Sequence, residues 1–307
     1  MQNRSFKQYL IISLKGIAMG AADVVPGVSG GTIAFISGIY EELLSSISSI
    51  KISLIGKLKT EGIKSVWNHV NGNFLLALLV GIGISVVSLA KVLSWLLDNE
   101  PVLLWSFFFG LVLASVLFIG KSISKWNVRT IVVFLLGTIL AYYISTLQPL
   151  ISDSSSLLYL FIAGSLAICA MILPGISGAF ILVLLGAYKT VLEAVHNRDF
   201  KIIITVGLGA VVGLLSFSKI LKWMFIKFKD LTLAVLTGFV LGSLNKIWPW
   251  KKVIKSKMIE DKLIILKEQS VSPFNFEGEN QFVFALILAI IGFVSIILME
   301  KIAVKDA

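Results

Sequence analysis

The chain has 307 residues, 57% of them hydrophobic and 14% charged, with a mean hydropathy of +0.95. Such a composition leaves too little polar surface to coat a water-soluble globule and places the chain among polytopic membrane proteins. The net charge of +10 comes from lysines in short loops between apolar stretches, a pattern that suits anionic lipid headgroups and topology and excludes nucleic acid as the natural partner. The lone Cys169 cannot build an internal disulfide or a thiolate metal site, and no cofactor or metal motif is present.

At the N-terminus Arg4 and Lys7 precede the apolar run from Tyr9 to Leu14, and the small residues Gly20 to Ala22 follow, an arrangement that resembles a signal peptide. Lys15 interrupts the run, and a related segment recurs far from either terminus, so this region is read as mature structure. Apolar stretches of about 20 residues, enough to span a bilayer as helices, are predicted at 74–97, 102–120, 130–148, 201–225, 231–247 and 281–299. Two further apolar regions, 9–44 and 157–192, are each broken near the middle by Pro-Gly and small residues. They are predicted to be re-entrant helical hairpins.

The two broken regions resemble each other: PGVSGG at 26–31 matches PGISGA at 174–179, and GIYEELL at 38–44 matches GAYKTVL at 186–192. Farther on, SLAKVLSW at 88–95 matches SFSKILKW at 216–223, and GLVLAS at 110–115 matches GFVLGS at 238–243. Each pair of matches shares its own offset, and the long polar segment 45–72, against 193–200, accounts for the difference. The chain therefore reads as a duplication, 1–150 and 151–307. The expected fold is an all-α polytopic membrane protein of two repeats, each a re-entrant hairpin plus about three transmembrane helices. An odd number of crossings per half makes the repeats inverted, the sequence pointer to a secondary transporter with its site between the halves. A bundle duplicated for stability alone is the plain alternative.

With the N-terminus inside, Arg4, Lys7, the four lysines of 45–72, Lys121, Lys125, Arg129, Lys227 and Lys229 all fall inside, while Asp98, Glu100 and Asp153 fall outside. The 248–280 segment, with six lysines, disagrees unless it lies on the surface as an amphipathic piece. Trp95, Trp223, Trp248 and Trp250 read as interfacial anchors.

Irregular chain at membrane depth survives only against protein or a wet cavity, so each break marks a candidate site. Pro26 and Pro174 stop the preceding helix, and the first N–H groups of the helix that restarts have no intrahelical acceptor and face outward from a positive dipole end. Ser29, Gly30, Gly31 and Thr32, with Ser177, Gly178 and Ala179, then form a paired anion cradle. Alternatively Ser29 and Ser177 merely cap their helices.

GVSGG also fits a serine-nucleophile elbow, so an intramembrane serine hydrolase using Ser29 is the competing reading. Its base would have to be His69 or His196, both in polar loops, or Lys91 or Lys219. A nucleotide-binding loop fails, because no Gly-Lys-Ser/Thr follows the glycines.

Ionisable residues inside the apolar segments are Asp23, Glu41, Glu42, Lys91, Lys189 and Lys219. Asp23 corresponds to Met171 and Glu41 to Lys189, so the duplication is chemically asymmetric. Asp23, beside an anion cradle, is the candidate for proton or sodium coupling, with Glu41 second, while a helix-end anchor or cap is the bland role for Asp23. Lys91 and Lys219 are placed to meet an anionic headgroup at each face, or simply to snorkel.

GAADVVPGVSGGT at 20–32, GIYEEL at 38–43, LPGISGAF at 173–180 and GSLNKIWPW at 242–250 resemble the bacterial undecaprenyl-phosphate (polyprenyl-phosphate) translocase family over most of the chain. The resemblance implies a flippase of the bacterial cytoplasmic membrane that returns undecaprenyl phosphate from the outer to the cytoplasmic leaflet for cell-wall synthesis. Its partners would be that lipid, a coupling ion and membrane lipids, with room for a homodimer. Ala179 and Phe180 replace Gly31 and Thr32 in the second repeat, which puts that repeat's share of headgroup contacts in question.

Overall fold

A computed structural model describes residues 4–25, 28–51, 53–147, 156–259 and 262–305. The first half runs through α1 (Phe6–Val24), α2 (Gly30–Ile36), α3 (Tyr40–Ser48), α4 (Leu54–His69), α5 (Gly72–Ser88), α6 (Ala90–Asn99), α7 (Pro101–Lys121) and α8 (Val128–Thr146). The second continues with α9 (Leu157–Ile172), α10 (Gly178–Leu184), α11 (Tyr188–His196), α12 (Phe200–Lys227), α13 (Lys229–Ser243) and α14 (Phe282–Lys305). Helix starts follow local chemistry. Ser5 with Gln8 and Asn127 with Thr130 form reciprocal capping boxes, Asp199 caps α12 through the N–H groups of Lys201 and Ile202, and Pro101 opens α7 where its missing N–H costs nothing.

Among the described residues five stretches are long and apolar enough to cross a bilayer: Gly72–Leu89, Pro101–Lys121, Val128–Thr146, Phe200–Lys227 and Lys229–Ile247. Leu157–Ile172 and Phe282–Leu298 are shorter apolar helices, and α10 meets α11 at 110°. The chain is a multi-pass, mainly helical membrane protein. The expected single span 74–97 is interrupted at Leu89, between α5 and α6, whereas its counterpart α12 is continuous.

The 248–280 segment departs from the all-helical expectation. Lys251–Ile259 (β1) and Lys262–Ser270 (β2) pair as an antiparallel hairpin, with a register shift around Lys255. Its sequence, KKVIKSKMI followed by KLIILKEQS, is rich in β-branched residues and lacks a helical apolar stripe, which favours strands. Trp248 and Trp250 correct the interfacial-anchor reading as well. Trp250 is 6% exposed and packs with Val102 and Ala285, and the indoles donate to Val271 O and Asn280 O, so this pair fastens the hairpin to the bundle. Trp95 and Trp223 are exposed.

Helices α2 and α3 recur as α10 and α11 with identical lengths at one displacement along the chain. The stretch α5–α6 recurs as α12 at a second displacement. Four long pairs make up the bundle, α1 on α5, α9 on α12, α8 on α13 and α7 on α14. Small residues close them, as expected where lipid gives helices no hydrophobic reason to associate. A methyl group at Gly81 would collide with the Ser13 carbonyl and one at the corresponding Gly209 with that of Phe161. The same holds for Gly110 against Ala289 and its counterpart Gly238 against Phe134.

Polar contacts define the two ends. At one, Arg4 grips both Glu42 oxygens (2.6 and 2.8 Å), Asn71 donates to Glu42 (2.7 Å), Glu41 pairs with Lys229 (3.2 Å) and Asp230 accepts from the Ser124 and Lys125 amides. Residues 4 and 42 thus meet, so the chain from α1 to α3 returns to the end it left. At the other end Gln281 donates to Glu100 (3.0 Å), next to the β-hairpin.

Candidate functional site

The two helical breaks meet in the interior. Leading out of the first, the Ser29 hydroxyl faces Met171 O (3.1 Å) and Leu173 O (3.3 Å) as donor and accepts the Gly31 N–H (3.1 Å). Thr32 Oγ1 accepts the Gly175 N–H (2.9 Å), and the Tyr40 hydroxyl donates to Ile172 O (3.0 Å). These bonds satisfy the carbonyl and amide groups that the second break frees, as a nonaqueous interior requires. Ser29, Thr32 and Tyr40 are at most 2% exposed. Pro26 and Gly27 lie outside the described residues.

Close approach demands the glycines. Gly175 has φ +86°, the left-handed region that glycine adopts without strain, and a methyl there would lie 2.8 Å from Phe239 O. One at Gly31 would lie 2.6 Å from Ile172 O, and one at Gly30 would displace the Asp23 carboxylate.

The sequence pairs the two cradles and sets Asp23 against Met171, and the structure shows what that difference does. In the first, Asp23 Oδ1 accepts the Gly30 N–H at 2.7 Å, Ser29 Oγ takes that of Gly31, and Ser29 O takes that of Thr32 at 2.9 Å. Its donors are thus already engaged, the first of them by a carboxylate at the positive end of α2. In the second, Ser177 makes no capping bond, and where Asp23 would stand, the Met171 side chain packs by Gly178. Ser177 and Gly178 are buried, whereas Ala179 is exposed. The capping reading therefore applies to Ser29 and not to Ser177.

The charged candidates outside the breaks are not brought to them. Glu41 is 58% exposed in its side chain and pairs with Lys229 at the Arg4 end. Lys91 and Lys219 are exposed on α6 and α12. His69 and His196 sit in the last turns of α4 and α11, so the Ser29 hydroxyl faces backbone carbonyls and no histidine.

Two lysines that the sequence reading did not single out approach the second break instead. Lys246 lines a cleft of about 10 Å³ together with Gly175, Ser177, Phe180 and Ser243, and its Nζ stands 4.9 Å from the centre of the Phe180 ring. Lys251 Nζ donates to Lys246 O (2.6 Å) and lies over Trp105 at 4.9 Å. Glu268 Oε2 is 3.5 Å from Lys251 and 3.9 Å from Lys246. Lys246 belongs to GSLNKIWPW, a signal visible in the sequence. Tyr40 also had one, its repetition as Tyr188.

Comparison with known proteins matches residues 19–265 to the family model described as undecaprenyl phosphate translocase-like. The chain belongs to this family. Over 302 residues, 97% of this chain and 98% of the relative, it is 46% identical to a polyprenyl-phosphate transporter of Vibrio cholerae. It is also 32% identical to a polyprenyl-phosphate transporter of Staphylococcus aureus, over 77% of this chain and 85% of the relative. No solved structure matches this family member.

Proposed function

We propose that the chain moves a polyprenyl phosphate, undecaprenyl phosphate in particular, from the outer to the cytoplasmic leaflet of a bacterial inner membrane, recycling the carrier of cell-envelope synthesis. The names of its relatives support the substrate class. The observation that carries the mechanism is the meeting of the breaks, Ser29 and Thr32 of one half bonded to Met171, Leu173 and Gly175 of the other.

Moving a phosphate through hydrocarbon unaided costs many kcal/mol in lost hydration. Hydroxyls and amides at the breaks replace that water, while the prenyl tail stays in lipid. The halves 1–150 and 151–307, related as inverted repeats, rock about the headgroup. Their matched elements and glycine contacts support that relation.

Ser177 and Gly178 take the phosphate first, because the donors of the first cradle are already engaged, the Gly30 N–H by Asp23 and those of Gly31 and Thr32 by Ser29. Handing the phosphate to Ser29, Gly30, Gly31 and Thr32 requires the Asp23 charge to be cancelled by a proton or sodium ion, which couples transport to an ion gradient. Glu41, in its exposed pair, has no place in this step.

The experiment is transport itself. Full-length protein in liposomes loaded with polyprenyl phosphate in one leaflet is expected to move it to the other, faster under a proton or sodium gradient. Absence of movement under every gradient would overturn the function.

A further inference from the structure

The breaks leave unexplained a second polar cavity, beside the β-hairpin at the Glu100 end. It measures about 340 Å³, within the range of small-ligand sites. Its wall includes Thr146 of α8, Asn245 and Lys246 after α13, and Lys251, Glu268 and Ser270 of the hairpin. Lys246 also lines the cleft of about 10 Å³ that holds Ser177. That cleft has room for one water at most, so an anion of phosphate size fits the outer cavity and not the inner one, and the Lys246 side chain stands between them.

The electrostatics suit a doubly charged anion. Two ammonium groups share one carboxylate, Glu268, with the Lys251 side chain only 13% exposed. One positive charge is therefore left uncompensated in a confined space, where Coulomb attraction is stronger than in open water. The Asn245 amide supplies an uncharged donor and is held in place by the Ser270 hydroxyl, which donates to its Oδ1 (3.0 Å), while the Thr146 hydroxyl donates to Tyr143 O (2.8 Å). On the α8 side the cavity reaches Tyr142 and Leu147, which are 52% and 40% exposed on the bundle surface, so an attached apolar chain can run out along α8.

We propose that this cavity is a receiving site for a phosphomonoester, in which Lys246 and Lys251 hold the headgroup at the Glu100 end. Lys246 then leaves the Phe180 ring and delivers the phosphate to Ser177 and Gly178. The ligand's identity as a lipid rests on the transport reading above; the phosphate chemistry of the site does not. Lys246 is a positioning residue for the transfer.

The test measures binding to the full chain in lipid nanodiscs with two probes, radiolabelled polyprenyl phosphate and inorganic phosphate, and uncharged polyprenol as control. Lys246→Gln is expected to weaken polyprenyl-phosphate binding about tenfold or more, the scale of a lost charge-assisted bond, without changing polyprenol binding. Lys246→Arg should restore it to within about threefold, and Glu268→Gln should tighten it by removing the competing carboxylate. Lys251→Gln provides a second loss variant should Lys246→Gln unfold, thermal unfolding being the check. Lysine-dependent binding of inorganic phosphate alone would keep the site and make free phosphate its ligand. Wild-type binding of both probes by Lys246→Gln and Lys251→Gln overturns the proposal. If lysine-dependent binding holds but no lipid changes leaflet in liposomes, the transport reading fails and the site stands.

Discussion

The Asp23 carboxylate accepts the Gly30 N–H at 2.7 Å, whereas Met171, in the corresponding place before Gly178, brings no acceptor to α10. The two half-helices therefore begin with opposite electrostatics, α2 already facing an anion of the protein's own and α10 not. Asp23→Asn keeps an oxygen for the Gly30 N–H and removes the charge. Lipid transfer in liposomes is expected to continue in that variant but to lose its response to proton and sodium gradients. Asp23→Ala, which also removes the acceptor, should cost about 1 kcal/mol of stability, the usual scale of a lost helix cap. Undiminished gradient sensitivity in Asp23→Asn would take Asp23 out of the coupling.

Gly31 lets the first break touch the second, and the atom a side chain would meet, Ile172 O at 2.6 Å, belongs to the backbone and cannot swing aside. Gly31→Ala is expected to push the breaks apart, lowering the unfolding temperature and cutting transport to a small fraction. Gly83→Ala, at a position where an added methyl meets nothing within 4 Å, should match or slightly exceed wild-type stability, since alanine favours the helix. Equal transport by both variants would show that contact between the breaks is dispensable.

Much of this arrangement is legible in the sequence, because breaks and spans depend on local composition. PGVSGG and PGISGA each locate the end of one helix and the start of the next, and the matched segments reappear as matched elements. What local sequence leaves out are tertiary relations. The sequence sets Asp23 beside the cradle and against Met171 in the other repeat, but nothing local in DVVPGVSGG shows that its side chain reaches over the break to take the Gly30 N–H. Lys91 and Lys219 stand out in the sequence as ionisable residues at equivalent positions in apolar segments, and both are exposed, a placement that fits headgroup contact and snorkelling alike. In the sequence the lysines of 248–280 read only as topology charges. It is the hairpin, pinned by Trp248 and Trp250, that brings Lys251 onto Trp105.

Ser29 separates transport from hydrolysis. Its hydroxyl bonds to backbone groups on both breaks, so Ser29→Ala leaves carbonyl oxygens of the second break short of a donor, at a cost of about 1–3 kcal/mol. A headgroup held mostly by amides should still move, at a reduced rate, and Ser29→Thr should recover part of it. Complete loss of function in a Ser29→Ala protein of wild-type unfolding temperature would revive the nucleophile reading.

Glu41 and Lys229 lie 3.2 Å apart, with side chains 58% and 60% exposed. Exposed pairs contribute about 0–1 kcal/mol and are screened by salt. Glu41→Gln is therefore expected to leave stability almost unchanged and gradient-driven transport intact, in contrast to Asp23→Asn. A flattened gradient response in Glu41→Gln would assign the coupling to the Arg4 end of the bundle.

Lys251 makes stability depend on pH from outside the membrane-spanning helices. Burial against Trp105 lowers its pKa from 10.5 to about 8, opposed by Glu268 and reinforced by Lys246. Below about pH 8 the ammonium is charged in both folded and unfolded chains, and the folded state bears the full cost of burying it. As pH rises from about 8 towards 10.5 the folded protein releases its proton first, so stability increases, by on the order of 3 kcal/mol across the interval. The unfolding temperature should therefore climb over this range relative to a Lys251→Met control, whose slope lacks the Lys251 contribution and whose stability at neutral pH should be higher. Glu268→Gln removes the carboxylate that favours the ammonium, so its rise should begin at lower pH. A wild-type curve parallel to that of Lys251→Met would mean that the Lys251 amine is as well solvated folded as unfolded.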